Sequence, residues 1–167
     1  MKLRILFVDD EPRVLQGLKR MLYGMRNEWD MVFAESGEQA LELFSQQPFD
    51  VIVTDMRMPG MNGAELLARV SEKYPDTIRF ILSGHSDQNL ILKSVGTAHQ
   101  YLSKPCDAET LKNAVKRASE LRKLLADESV STLAKQIKTL PSFPQVYFDL
   151  MNELKSPDTS IQKIGEI

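Results

Sequence analysis

The chain has 167 residues, 43% of them hydrophobic, enough for one complete core and a remainder that cannot build a second alone. Lys and Arg number 21 against 23 Asp and Glu, a net charge of -2, so no overall basic field draws nucleic acid or anionic lipid, and direct nucleic-acid binding is not expected. A single cysteine, Cys106, excludes an intrachain disulfide, and no apolar run approaches the roughly 18 residues of a membrane span. The basic, apolar start MKLRILFV is followed at once by acids instead of a small-residue cleavage site, which points to a soluble, cytoplasmic protein without membrane attachment.

In chain order, the apolar run over 3–8 predicts a strand, and Val14, Leu15, Leu18, Leu22 and Met25 recur at helical spacing over 14–25. The alternation continues with strands near 31–34, 51–54, 78–82 and 100–102, and helices over 38–44, 64–70 and around 89–95. A last helix runs from 108 to about 125 with Asp107 as its N-cap. Five β/α repeats in about 125 residues predict an α/β fold: a five-stranded, doubly wound parallel sheet with helices on both faces, followed by a C-terminal helical extension. The runs VIVT and FIL suit central strands buried on both sides. Leu111, Ala114, Ala118, Leu121 and Leu125 form a seam longer than one sheet can cover, which reads either as sheet packing that runs on into a solvated linker or as a homodimer contact.

In an open parallel sheet, ligands bind beyond the carboxyl ends of the strands. Asp9, Asp10 and Glu11 follow the first strand, Asp55 ends the third, Ser83 the fourth and Lys104 the fifth. Carboxylates crowded on one rim repel unless a cation joins them, and an all-oxygen set suits Mg²⁺, which takes one or two carboxylates and keeps several waters. A lysine and a hydroxyl beside it supply donors for phosphoryl oxygens, which casts Asp55 as a nucleophile able to form an aspartyl phosphate. Taken singly these residues have plainer readings: the acidic pair as a helix cap, Lys104 as a surface lysine, Met56, Met58 and Met61 as loop packing. His85 and His99 are too few and too badly spaced for a zinc or iron site.

The segments FVDDEP, VIVTDMRMPGMNG, FILSG and YLSKP, in this order, resemble the receiver domain of two-component response regulators over residues 1 to about 125. The resemblance implies a flavodoxin-like sheet of order 2-1-3-4-5 and phosphoryl transfer from a sensor histidine kinase or phosphotransfer protein. It makes Asp55 the phosphoacceptor and Asp9 and Asp10 the acidic pair. Asp10, Asp55 and the Met56 backbone carbonyl become the direct Mg²⁺ ligands within the set Asp9, Asp10, Asp55 and Met56. Ser83 and Lys104 bind the phosphoryl oxygens, and Pro105 follows a cis peptide bond. Phosphate on Asp55 would draw Ser83 inward and let Tyr101 turn in, although Tyr101 also reads simply as a half-buried strand residue. Arg57 and His85 occupy positions that influence phosphate lifetime in that family, and Cys106 stands where a large apolar residue is common.

After a polar stretch, LPSFPQVYFDLMNELKSPDTSIQKIGEI resembles the opening of an HDOD domain, with a generic amphipathic extension as the alternative. No His-Asp pair supports an HD-GYP phosphodiesterase. The expected division is therefore a receiver over 1–125, a helical linker over 126–139 and an HDOD-like fragment over 140–167. The expected role is a switch and not an enzyme. The alternatives are a Mg²⁺-dependent aspartyl-phosphate phosphohydrolase, which would want an acid at position 57, and a degenerate receiver serving as a dimerisation scaffold.

Overall fold

The computed structural model describes residues 2–84, 87, 91 and 96–125. Met1–Glu120 forms one compact unit; Leu121–Ile167 is a second, of which only residues 121–125 are described. Chain order in the first unit is β1 (Leu3–Val8), α1 (Pro12–Met21), β2 (Trp29–Ala34), α2 (Gly37–Gln46), β3 (Val51–Asp55), α3 (Gly63–Lys73), β4 (Ile78–Ser83) and β5 (Gln100–Ser103), with α4 running from Ala108 to Leu125. The five strands form one parallel sheet in the order β2-β1-β3-β4-β5, as expected. The helix expected over 89–95 and everything expected beyond residue 125 lie outside the described residues.

Alternation along each strand splits the apolar residues between two faces. Ile5, Phe7, Val53, Phe80 and Leu82 pack with Leu15 and Leu18 of α1 and with Leu111, Ala114 and Val115 of α4. Leu6, Val8, Ile52 and Ile81 pack with Ala40 and Phe44 of α2 and with Leu66, Leu67 and Val70 of α3. A fully buried side chain of this kind contributes about 1.5–3 kcal/mol, against about 1 kcal/mol net for a typical hydrogen bond. The two apolar layers therefore hold the fold, leaving the polar rims free for other work.

Helix starts follow local chemistry. Pro12 opens α1 at its first turn. The Ser36 hydroxyl accepts from the Gln39 N–H at 3.1 Å, and Asn62 and Glu65 form a reciprocal capping box at the head of α3. Asp107 caps α4, its Oδ1 accepting from the Thr110 N–H at 2.8 Å, and that bond holds its carboxyl below the usual range.

One expectation needs correction. The helical spacing over 14–25 belongs to a helix ending at Met21, followed by a 3-10 turn over Tyr23–Met25. Leu22 is fully buried and Met25 packs against the same layer, so both serve the core from outside the helix. In α4 the apolar seam is buried at Leu111, Ala114 and Val115, partly buried at Ala118 and exposed at Leu121, so only its first half packs on the sheet. Cys106, half-buried, packs against the layer under α4 in spite of its small size.

Candidate functional site

Strand register assembles the site. Val8 pairs with Thr54, Asp55 with Leu82, and Ser83 with Ser103, so the carboxyl ends of β1, β3, β4 and β5 finish side by side. Asp9, Asp55, Ser83 and Lys104 follow one another along this rim. Main-chain bonds lock it: the Asp9 N–H donates to Ala34 O at 3.2 Å, Met56 N–H to Leu82 O at 3.1 Å and Lys104 N–H to Ser83 O at 2.8 Å. The peptide bond between Lys104 and Pro105 is cis, as expected.

Two acids lie beneath the rim, Asp9 at 2% exposure and Asp55 at 8%. The Lys104 ammonium bridges them, 2.5 Å from Asp55 Oδ1 and 3.2 Å from Asp9 Oδ2. Burial alone lowers a lysine pKa, but here the hydrogen bonds and charges of Asp55 and Asp9 outweigh it and the Lys104 value is raised. At neutral pH this side chain is a fixed cation.

The remaining oxygens have separate duties. Asp9 Oδ1 accepts from the Glu11 N–H at 2.9 Å, so both Asp9 oxygens are engaged in shaping the loop and holding the lysine. Asp55 Oδ2 accepts from the Arg57 N–H at 2.9 Å, which orients the carboxylate. By contrast, no hydrogen bond or ion pair joins the half-buried Asp10 carboxylate to another described residue, and the same is true of the Ser83 hydroxyl, at 6% exposure. The Met56 carbonyl accepts from the Gly63 N–H at 2.9 Å and keeps a second lone pair.

This donor set fits Mg²⁺. Among the described residues no three His, Cys, Asp or Glu side chains gather as a ligand cluster, so the expected set loses Asp9 as a third carboxylate beside Asp10 and Asp55. The oxygens that the resemblance assigns to the ion, the Asp10 and Asp55 carboxylates and the Met56 carbonyl, are hard donors of the kind Mg²⁺ takes while keeping waters.

Sequence reasoning missed two roles here, those of Gly63 and Asp87. An added Cβ on Gly63 would lie 2.1 Å from the Asp55 carbonyl oxygen and 3.1 Å from Met56 Cα, so only glycine lets the head of α3 press against the Asp55 backbone. Gly60, at φ +73°, takes the left-handed turn before it. Asp87, 4% exposed, pairs with the Arg57 guanidinium and accepts from the Gly84 N–H at 2.6 Å. Gly63 lay within a turn motif, but its close approach has no local signal, and Asp87 sits in a polar stretch whose partner is 30 residues away. Met56, Met58 and Met61 are buried in the layer under α3, as loop packing requires. Tyr101 is half-buried at the edge of that layer. His85 lies outside the described residues.

Residues 5–116 match the response regulator receiver domain family. The chain is 36% identical over 125 residues to the hydrogenase transcriptional regulatory protein HoxA of Cupriavidus necator, an alignment covering 74% of this chain and 25% of that protein. It thus spans about a quarter of that relative's length. Among solved structures, the signal receiver domain of an HD domain-containing protein from Pseudomonas fluorescens Pf-5 superposes with a TM-score of 0.69 at 34% identity, covering 74% of this chain and 98% of that one. The response regulator TrrA of Thermotoga maritima, solved in complex with Mg²⁺-BeF, superposes with a TM-score of 0.62 at 34% identity, covering 70% of this chain and 98% of that one.

Proposed function

This chain belongs to the response regulator receiver domain family of two-component systems, and we propose that it is a switch set by phosphoryl transfer to Asp55. One observation carries the reading: Lys104, from the end of β5, holds the Asp55 carboxylate with one ammonium bond and Asp9 with another. A buried acid, oriented by the Arg57 N–H and facing a fixed cation, is a positioned oxygen nucleophile.

In the proposed step an Asp55 oxygen attacks the phosphorus of a phosphohistidine on a sensor kinase or phosphotransfer protein. The P–O bond forms as the P–N bond breaks, and the bond's electrons leave with the imidazole. Lys104 moves from the carboxylate to a phosphoryl oxygen, and the Ser83 hydroxyl, free to turn, donates to another. Asp10, Asp55 and the Met56 carbonyl would hold Mg²⁺, which would supply positive charge for the phosphoryl oxygens. Asp9 keeps Lys104 and the acidic loop in place. Movement of Ser83 then clears room for Tyr101 to turn in, and Pro105 sets the direction of the chain after Lys104.

The receiver is read as residues 1–125, the linker as 126–139 and an HDOD-like output as beginning at 140. The solved receiver of an HD domain-containing protein supports a helical output of this kind. No helix among the described residues is long and apolar enough to cross a membrane, and a cytoplasmic place of action is part of the proposal. Homodimerisation through the exposed end of α4 is a further part of the reading. The test is beryllofluoride titration with Mg²⁺, followed by fluorine NMR: one bound equivalent is expected, lost on chelating Mg²⁺ or in Asp55→Asn. Rapid turnover of small phosphate esters without an accumulating adduct would instead mark a phosphohydrolase.

A further inference from the structure

Asp87 is a buried carboxylate whose two oxygens do different things. Oδ2 accepts from the Gly84 N–H at 2.6 Å, the peptide directly after Ser83, and Oδ1 is bonded by the Arg57 guanidinium. The Asp87 N–H in turn donates to Gly84 O at 3.2 Å, so Gly84 and Asp87 are tied by two bonds. Arg57 is bonded at its other end to the phosphoacceptor, its N–H donating to Asp55 Oδ2 at 2.9 Å. A continuous chain of bonds therefore runs from Asp55 through Arg57 and Asp87 to the peptide beside Ser83.

The two partners differ in burial: the Arg57 side chain is 59% exposed and that of Asp87 6%. An exposed guanidinium can swing, whereas a buried carboxylate left without its cation cannot readily stay where it is. A phosphoryl group on Asp55 would place anionic oxygens within reach of the residue whose N–H already holds that carboxylate. Arginine suits such oxygens through its bidentate fork.

We infer that Arg57 is a positioning residue with two alternative anionic partners, Asp87 before phosphorylation and the phosphoryl oxygens after it, and that Asp87 restrains the Gly84 peptide until Arg57 leaves. This rests on the reading of Asp55 as phosphoacceptor. The Arg57–Asp87 pair is then a brake on the inward movement of Ser83, and Asp87 competes with the adduct for the guanidinium.

The test uses the full chain with beryllofluoride and Mg²⁺, following adduct formation by fluorine NMR and the Gly84 amide by hydrogen exchange. In the wild type the adduct should speed Gly84 exchange about tenfold, and Arg57→Gln should do the same without any adduct. Asp87→Asn should bind beryllofluoride about fivefold more tightly, because the guanidinium no longer has to be won from a rival, and should lose that gain in the Arg57→Gln background. An adduct that leaves wild-type Gly84 exchange unchanged overturns the inference alone. So does Asp87→Asn binding more weakly or no more tightly than the wild type. Absence of any adduct in the wild type overturns both the inference and the reading of Asp55. If Asp87→Asn does not fold, the Gly84 comparison between wild type and Arg57→Gln decides.

Discussion

The two rims of the sheet treat polar groups in opposite ways. At the amino end of β4, Arg79 donates to the carbonyls of Thr97 at 2.7 Å, Thr77 at 3.0 Å and Pro75 at 3.3 Å. Its own N–H donates to His99 Nδ1 at 3.0 Å, and nearby the Thr77 hydroxyl donates to Phe49 O at 2.9 Å. There the buried polar groups are used up within the chain, and their work is structural. At the carboxyl end, Lys104 is shared between two acids while the Asp10 carboxylate and the Ser83 hydroxyl have no bond to another described residue. Polar capacity left unspent in a buried place costs stability, and a chain keeps it where a ligand will use it.

That contrast can be broken at either rim. The largest effect is expected from Gly63→Ala, since the added methyl meets main chain that cannot step aside: stability should fall by about 3 kcal/mol or more in urea unfolding, with loss of the beryllofluoride adduct. Next, Arg79→Met should cost about 2–3 kcal/mol by stranding the buried Thr77 carbonyl and the part-buried Thr97 carbonyl, yet leave adduct formation intact. Lys104→Met reverses this pattern. Losing the cation between two buried acids should cost the fold about 1–3 kcal/mol, but the larger change is functional: phosphorylation by acetyl phosphate should slow by about a hundredfold.

The smallest effect sharpens the structural side. Burial, with the neighbouring Arg79 charge second, lowers the His99 pKa below its ordinary 6.5. The unfolded chain therefore binds a proton that the folded imidazole refuses, because Nδ1 must stay an acceptor for the Arg79 N–H. The stabilising contribution is present above pH 6.5 and is lost as pH falls from there through the folded value. Urea unfolding at stepped pH should show this slope in the wild type and a shallower one in His99→Gln.

Much of this was legible in the chain. VIVTD and FILS read as buried strands because both faces of a central parallel strand are covered, and the register then had to bring Asp9, Asp55, Ser83 and Lys104 to one rim. What stayed hidden depends on partners distant in sequence. Arg79 is one charge within the strand IRFILS, and nothing beside it in the sequence shows that its guanidinium clamps the lower rim. Leu22 and Met25 kept the helical spacing past the end of α1 because the core selects for apolar character and not for backbone conformation. Gly63 and Asp87 owe their roles to a backbone approach and to an ion pair across 30 residues, neither of which leaves a periodic trace.

Most direct of all is to locate the covalent bond. Protein treated with acetyl phosphate and Mg²⁺, then reduced with borohydride to convert an acyl phosphate into homoserine, can be digested and mapped by mass spectrometry. Conversion at position 55 and nowhere else is the expected result. Conversion at Asp9 or Asp10, or none in a folded sample, would contradict the assignment of Asp55 as the phosphoacceptor.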